Sequence, residues 1–341
     1  MKLCTYWAAL ISASYIAKAR AAIPTDSFLT IIHSLTLALF VSLGAVFPVW
    51  ADILAPGDYR FELETGGQSR SYWAHVPPRS VAVPYPVVIS LHGGGGNARQ
   101  HRQASGMDAA ADRDGYIPVY PNGSGRLAER LLTWNAGNCC GYAQKQDVDD
   151  VGFISALIDD LKRRANIDTR RIYVSGHSNG GMMAHRLGEA LPERIAAIAS
   201  VAGAYVPSMR NGRSLPVLHI HSVDDPRALY HGGLGPPFPL TGMRVLHPSV
   251  DTMLSAWIQR NGCDGTATEI AVRESGGHTA RLLVYPQCRN EAEVALWKLT
   301  GAGHGWPGAS PKLERLLGPQ TRVIDANTEI WRFFSRFALP R

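Results

Sequence analysis

The feature that most restricts the fold of this chain is a serine between glycines, where an apolar run meets a helix-like segment. The β-branched and aromatic residues 172–174 are typical of a buried strand. The strand pattern stops at Gly176-His177-Ser178-Asn179-Gly180, and residues that can open a helix follow from Met182. A serine hydroxyl is a poor nucleophile near neutral pH unless a base lies beside it and a sharp turn exposes its oxygen. A strand–turn–helix junction flanked by glycines supplies such a turn, so we predict that Ser178 is a nucleophile. A serine that merely caps the helix is the alternative.

A second glycine cluster follows another predicted strand. Pro86 to Leu91 is almost continuously apolar, which is typical of a parallel strand covered on both faces. It runs into His92 and four consecutive glycines, where bare backbone N–H groups can face a ligand. Such groups can hold the oxyanion of an acyl-transfer reaction and contribute roughly 3–4 kcal/mol each. A mobile glycine loop is the alternative, whereas a phosphate-binding loop is excluded because the G-K-[ST] ending is missing.

Two further polar residues follow later strands in the order expected for a Ser-Asp-His triad. The apolar segment Leu215 to Ile220 leads to the adjacent acids Asp224 and Asp225. The last predicted strand, Val294 to Leu299, leads to His304 in a glycine-flanked turn. The chain order serine, acid, histidine is that of a known triad arrangement, in which the histidine is the base and the acid orients it. We predict that His304 is the base and that one of the two acids orients it.

Two other polar pairs have more ordinary interpretations. Asp149 and Asp150 begin a predicted helix, where the helix dipole favours negative charge, so we interpret them as caps. His219 and His221 share one face of a predicted strand and could bind a metal, but the sequence offers no evident third ligand. We therefore predict no metal site.

Length and composition favour one large catalytic domain. The chain has 341 residues, 45% of them hydrophobic, which is enough for one substantial core. Its strand-like runs alternate with helical patterns, which predicts a doubly wound, mostly parallel α/β sheet. The net charge of +6 is spread along the chain without a basic block, so nucleic-acid binding receives little support.

The first 51 residues do not fit that domain. Phe28 to Phe47 is a run of 20 uncharged residues that follows Lys18 and Arg20. The segment ends in Val49-Trp50-Ala51, a small-x-small cleavage pattern. We predict that residues 1–51 are a signal peptide of a secreted or periplasmic protein and that the catalytic domain spans residues 52–341. An uncleaved membrane anchor is the alternative, because the run is long enough to cross a bilayer.

The cysteines agree with export. Four of them follow the predicted leader, and an even number in an exported chain indicates disulfides. Cys263 and Cys288 flank a strand-like segment and are the best candidates for a bridge. Cys139 and Cys140 form either a vicinal disulfide or two thiols, and their spacing is not that of a zinc site.

Together these motifs resemble a known group of enzymes. The stretches H-G-G-G-G-N, G-H-S-N-G-G-M, H-x-x-D-D-P and G-x-G-H-x-W-P-G are similar to those of secreted polyhydroxybutyrate depolymerases and feruloyl esterases. These are α/β-hydrolases without a separate lid domain, related to carbohydrate esterase family one, and the similarity covers residues 55–338. Ser222 departs from the glycine usual in relatives, and the Gly/Pro-rich loop 227–248 is longer, which leaves substrate size open.

The resemblance implies a mechanism and a set of roles. Ser178 would attack an ester, His304 would take its proton, and Asp225, the acid before proline, would orient the imidazole. The N–H groups of Gly94 and Asn179 would hold the oxyanion. Two tryptophans are expected as walls for the acyl group, although one of them could equally fill the core. They are Trp134, for which the core is the alternative, and Trp306.

The expected partner is a small or polymeric ester, either of hydroxyalkanoate or of feruloyl or acetyl groups on plant polysaccharide. No cofactor, nucleic acid or stable protein partner is expected.

Two other classes of protein are alternatives to an esterase. A serine peptidase of the prolyl-oligopeptidase type would use the same triad on amides, and a non-catalytic binding protein would need no triad.

Overall fold

A ten-stranded sheet forms the centre of the computed structural model, which describes residues 53–78, 82–208, 212–238, 242–310 and 314–341. The strand order is β1-β2-β4-β3-β5-β6-β7-β12-β11-β10. The strands are β1 (Gly57–Thr65), β2 (Gln68–Val76), β3 (Tyr85–Leu91), β4 (Ile117–Pro121), β5 (Ile167–His177), β6 (Ala197–Val201), β7 (Val217–Ser222), β10 (Thr268–Ser275), β11 (His278–Tyr285) and β12 (Val294–Thr300). Two short strands, β8 (Gly233–Leu234) and β9 (Leu246–His247), pair separately.

The middle of the sheet is parallel and its two ends are antiparallel. Strands β4, β3, β5, β6, β7 and β12 pair in parallel, whereas β1-β2, β2-β4, β12-β11 and β11-β10 are antiparallel. Every residue of β3, β4, β6 and β7 is buried, as expected for strands covered on both faces. The outer strand β1 instead alternates between partly buried and exposed residues. The carboxyl ends of the parallel strands therefore share one edge of the sheet, where ligands bind in folds of this class.

Helices cover both faces of the sheet. They are α1 (Ala98–Ser105), α2 (Met107–Asp114), α3 (Gly141–Lys145), α4 (Asp150–Arg164), α5 (Asn179–Ala190), α6 (Val250–Asn261), α7 (Glu314–Leu317) and α8 (Ala326–Phe334). Apolar residues of α4, α5 and α6 pack into one buried cluster, and those of α2 and α8 into another. Successive strand residues such as Val87 and Val88 enter different clusters, because side chains alternate across a strand. The prediction of a doubly wound, mostly parallel α/β sheet is confirmed.

Most predicted elements are present, with local differences. The helical stretch after β3 is divided into two helices, because Gly106 adopts a left-handed conformation (φ 63°) that ends α1 and begins α2. The segment between Cys263 and Cys288 is a full hairpin, β10 and β11, rather than a single strand.

The cysteine pairing agrees with the prediction of disulfides. Cys263 is bonded to Cys288, with the sulfur atoms 1.98 Å apart. Cys139 and Cys140 form the vicinal disulfide, one of the two states that the sequence leaves open. The predicted signal peptide or anchor, residues 1–51, lies outside the described residues. Across the described ranges, no helix has the length and apolar character needed to cross a membrane.

Candidate active site

Ser178 lies in a strained turn between β5 and α5. Its backbone has φ 55° and ψ −120°, an unusual conformation for a residue with a side chain. Gly176 and Gly180 allow this turn, because a Cβ on Gly176 would collide with the carbonyl group of Gly180. A Cβ on Gly180 would lie 2.5 Å from the carbonyl oxygen of His92. Gly203 is needed for the same reason, since its Cβ would collide with the carbonyl oxygen of Ser178. The glycines thus let two strands and a helix approach closely enough to present the serine.

His304 lies against this serine. It is in the loop after β12, and its Nε2 is 2.8 Å from the Oγ of Ser178. The imidazole is only 5% exposed, so bulk water competes little for this contact. Its Nδ1 lies 2.7 Å from the Oδ2 of Asp225.

Asp225 is held by several donors at once. Its Oδ1 accepts hydrogen bonds from the backbone N–H groups of Arg227 (2.7 Å) and Ala228 (2.9 Å), and its Oδ2 faces His304 and His221. Burial raises the pKa of this carboxyl group. Electrostatic attraction to His304 and hydrogen bonds from His221 and His304 outweigh that effect and hold the pKa of Asp225 well below its usual value. An ionised carboxylate can only accept, so Nδ1 of His304 carries a proton and its Nε2 is free to accept one from Ser178.

The neighbouring acid has a different contact. The Oδ2 of Asp224 accepts the backbone N–H of Gly301 at 2.7 Å, in the turn that leads to His304. Of the two acids that the sequence left open, the one that touches the histidine is therefore Asp225.

The glycine loop after β3 packs against the turn between β5 and α5 that carries Ser178, which we call the elbow. A Cβ on Gly93 would lie 3.5 Å from the Cβ of Ser178, and one on Gly94 would lie 3.5 Å from the Cβ of Asn179. The side chain of Asn179 is fixed by Trp134, whose backbone N–H donates to its Oδ1 (2.8 Å) and whose carbonyl oxygen accepts from its Nδ2 (3.0 Å). The two residues predicted to hold an oxyanion are thus adjacent and lie beside the serine.

The two tryptophans are buried. Trp134 has no exposed surface, and its indole N–H donates to the carbonyl oxygen of His92. Trp306 is 6% exposed, and its indole N–H donates to Asn327. The interpretation of Trp134 as a pocket wall is not supported, because a fully buried ring offers no surface to a substrate; its role is to support the glycine loop. Trp306 likewise lies mainly in the core, in edge-to-face contact with His101 and His177.

One of the two acids predicted to cap α4, Asp150, forms a buried ion pair instead. Asp149 caps α4 by accepting the N–H of Gly152, as predicted. Asp150 is fully buried and lies 2.7 Å from the Nη2 of Arg70, and it also accepts the N–H of Asn135. Asp150 lies in the first turn of α4, as predicted, but its side chain pairs with Arg70 rather than capping the helix, because the tertiary fold brings this cation of β2 into contact with it from 80 residues away.

The structure also shows a group of buried histidines that the motifs did not reveal. Burial lowers the pKa of His92 to about 4 and the pKa values of His177 and His185 to about 3, so these rings are neutral near pH 7. His219 and His221, considered earlier as metal ligands, are hydrogen-bonded to each other at 3.0 Å. The only sign of this pair in the sequence was that both histidines lie on the same face of a predicted strand. The contact of His221 with Asp225, four residues later, depends on the path of the turn after β7.

The chain is similar in sequence to known proteins. A family model described as Esterase PHB depolymerase matches residues 70–258, more than half of the chain. NocK of Nocardia uniformis subsp. tsuyamanensis, which is named as an esterase, is 32% identical over 280 residues, covering 77% of this chain and 78% of its own. Feruloyl esterase B of Piromyces equi is 29% identical over 226 residues, which is 64% of this chain and 39% of that protein.

A solved structure supports the fold. A protein of Bacteroides ovatus ATCC 8483, described as a dipeptidyl aminopeptidase IV, has a TM-score of 0.52 and 15% identity, covering 83% of this chain and 36% of that chain. At this identity the likeness concerns the fold alone. From its family match and its relatives, the chain belongs to the Esterase PHB depolymerase family and is an esterase with the α/β-hydrolase fold.

Proposed function

We propose that this protein is a serine carboxylic-ester hydrolase that works through an acyl-enzyme. The observation that carries the proposal is the continuous set of contacts Ser178–His304–Asp225, with distances of 2.8 and 2.7 Å. These are the distances at which a base can accept the proton of a nucleophile and be oriented by a third group. The family match independently supports ester substrates.

The first half of the reaction forms an ester of the enzyme. Ser178 attacks the substrate carbonyl while its proton moves to Nε2 of His304, and the carbonyl oxygen becomes an oxyanion held by the N–H groups of Gly94 and Asn179. The imidazolium is stabilised by ionised Asp225. Collapse of the intermediate expels the alcohol, which leaves with the proton from His304.

The second half releases the acid. Water attacks the acyl-enzyme while His304 takes its proton; the second tetrahedral intermediate then collapses, the acid leaves, and His304 returns the proton to Oγ of Ser178. Every step uses groups of this chain, and the histidine alternates between base and acid.

The substrate classes that we propose follow from the family and its relatives. They are hydroxyalkanoate esters, and feruloyl or acetyl esters of plant polysaccharide. We also propose that the protein is exported, with residues 1–51 as a signal peptide and residues 52–341 as the catalytic domain. The two disulfides support an oxidising compartment. N-terminal sequencing of exported protein checks this: a mature chain that begins at Asp52 is expected, and full-length chain in the membrane fraction would indicate the anchor.

A substrate panel tests the activity. The purified protein is assayed with p-nitrophenyl acetate and butyrate, methyl ferulate, soluble 3-hydroxybutyrate oligomers and a peptide p-nitroanilide. Ser178→Ala is expected to lower ester turnover by roughly 10⁶-fold. Ser335→Ala, in an exposed turn after α8, is the matched control. Equal turnover in Ser178→Ala would contradict the mechanism, and faster hydrolysis of the amide than of any ester would favour a peptidase.

A further inference from the structure

A line of buried histidines runs from the core to Oδ2 of Asp225. On β7, Nε2 of His219 lies 3.0 Å from Nδ1 of His221. Nε2 of His221 lies 2.8 Å from the carbonyl oxygen of Ala228 and 3.3 Å from Oδ2 of Asp225. Both imidazoles are at most 1% exposed. The carboxylate that faces His304 is thus approached by a second imidazole.

The partners determine which nitrogen carries each proton. A carbonyl oxygen only accepts, so Nε2 of His221 must carry the hydrogen. In a neutral ring Nδ1 is then the acceptor, and His219 must donate to it from its own Nε2. This leaves Nδ1 of His219 as a bare acceptor, and among the residues that the structure describes it has no hydrogen-bonding partner. Burial and the nearby imidazoles of His221 and His185 lower the pKa of His219 well below its usual value, in agreement with a neutral ring.

A third histidine, His185, supplies a donor that complements the acceptor on His219. The indole N–H of Trp257 donates to Nδ1 of His185 at 3.0 Å, so His185 carries its hydrogen on Nε2. That Nε2 is also buried and lacks a partner within the described ranges. The rings of His185 and His219 have their centroids 5.8 Å apart. A bare donor and a bare acceptor thus lie on neighbouring buried rings.

We propose that one water molecule joins Nε2 of His185 to Nδ1 of His219, and that the completed chain of neutral imidazoles positions Asp225. A buried water bridges polar groups that would otherwise be unsatisfied, and buried polar groups are rarely left without a partner. All donors in the chain then point the same way, from Trp257 through His185, the water, His219 and His221 to the carbonyl oxygen of Ala228 and Oδ2 of Asp225. His221 is in this scheme a positioning residue, because it acts on the carboxylate and never touches the substrate.

The chain has a consequence for the reaction, which rests on the proposed function. The backbone N–H groups of Arg227 and Ala228 fix Oδ1 of Asp225, so the contact from His221 acts on Oδ2, the oxygen that faces His304. The N–H of His221 is shared between the carbonyl oxygen of Ala228 (2.8 Å) and Oδ2 of Asp225 (3.3 Å), so it gives Oδ2 a second donor beside Nδ1 of His304. A donor to an ionised group forms one of the stronger hydrogen bonds in proteins. His219 and the water hold His221 in the tautomer that can donate.

The first experiment reads the tautomers directly and does not depend on activity. The full-length protein is labelled with ¹⁵N-histidine, and the ring nitrogens are assigned by NMR, using single substitutions for identification. We expect His185, His219 and His221 all to be neutral and protonated at Nε2. A proton on Nδ1, or a charged ring, in any of the three at pH 7 would overturn the proposal. A crystal structure should show a water within about 3.5 Å of both bare nitrogens; direct contact or no water would also overturn it.

The second experiment tests positioning. His221→Leu removes the donor, whereas His221→Gln retains a donating amide near the same place. We expect His221→Leu to lower kcat by roughly 10- to 100-fold with little change in KM, and His221→Gln to recover most of that loss. The low-field proton resonance of Nδ1 of His304 should shift in His221→Leu and return in His221→Gln. Equal kcat and an unshifted resonance in both variants would overturn the positioning role.

The two proposals can fail separately. If Ser178→Ala keeps its activity, the proposed mechanism fails, while the tautomers and the water still test the chain. If Ser178→Ala is inactive and His221→Leu is folded but fully active, only the positioning role fails. Circular dichroism and the thermal midpoint of each variant show whether it is folded.

Discussion

A single methyl group added at Gly180 should disturb the proposed oxyanion site without touching Ser178 or His304. In Gly180→Ala the new Cβ would lie 2.5 Å from the carbonyl oxygen of His92, and it would also collide with that of Leu91. Ordinary contacts of this kind begin near 3.4 Å. The end of β3 must therefore move away from the elbow by about 1 Å. Because His92 directly precedes Gly93 and Gly94, the oxyanion loop must move with it.

The expected loss follows from that displacement. A misplacement of about 1 Å in a catalytic arrangement can lower the rate by about 10²-fold. Overpacking typically destabilises a protein by about 1–3 kcal/mol, and the higher helix propensity of alanine returns at most about 1 kcal/mol. We expect Gly180→Ala to fold, with kcat reduced by about 10²-fold and a free energy of unfolding lowered by about 1–2 kcal/mol.

The matched control is Gly265→Ala. No atom lies within 4 Å of a Cβ at Gly265, and its φ is outside the left-handed region, so the same substitution should have no effect there. The assay measures kcat and KM with p-nitrophenyl butyrate, together with thermal midpoints and urea unfolding. Wild-type kcat and stability in Gly180→Ala would refute the close packing of β3 against the elbow. An equal loss in Gly265→Ala would show that the effect is not specific.

Two further predictions concern the acids and the histidines. Asp225→Asn should lower kcat by about 10⁴-fold, because the amide favours the wrong tautomer of His304. The kcat of Asp224→Asn should stay within a few-fold of wild type. Equal losses of kcat in steady-state assays would contradict the assignment of Asp225 as the acid that orients His304. Three buried histidines with lowered pKa values should make the fold sensitive to acid. They are His92, His177 and His185. Below about pH 6.5 these histidines bind protons in the unfolded chain, whereas the buried native rings stay neutral. The stability that the rings contribute is therefore complete above about pH 6.5. It is lost as the pH falls toward their pKa values in the folded protein, about 4 for His92 and about 3 for the other two. At pH 5.5 the three together should lower the free energy of unfolding by about 4 kcal/mol relative to pH 7.5, and an unchanged or higher value in urea titrations at pH 5.5 would contradict this.

The fold class and the central residues were predictable because they depend on local signals. A continuous apolar run followed by glycine or by a single polar residue marks both the strand and its functional end. This pattern placed Ser178 and His304 after their strands, and parallel pairing then requires the ends to share one edge of the sheet. The spacing of the glycines around Ser178 similarly predicted an elbow, because a chain with side chains at those positions could not make it.

Other features were beyond the sequence because they depend on which distant residues meet. Asp150 has the local pattern of a helix cap, and only the packing of β2 beside α4 brings Arg70 to it. Trp134 has no local sign of burial, and the fold decides that it supports the glycine loop rather than facing a substrate. Asp224 and Asp225 are equivalent as a sequence pair, and a turn of the backbone decides which of them faces His304.

The sequence by itself determined the order of strands, turns and reactive residues along the chain, because hydrophobic periodicity and glycine placement act over a few neighbours. Tertiary structure alone decided that His185 of α5 lies beside His219 of β7 and that His304 meets Asp225, because these residues are far apart in the chain. Hydrogen bonds form over about 3 Å, and such distances between distant segments are set only when the sheet and its helices are packed.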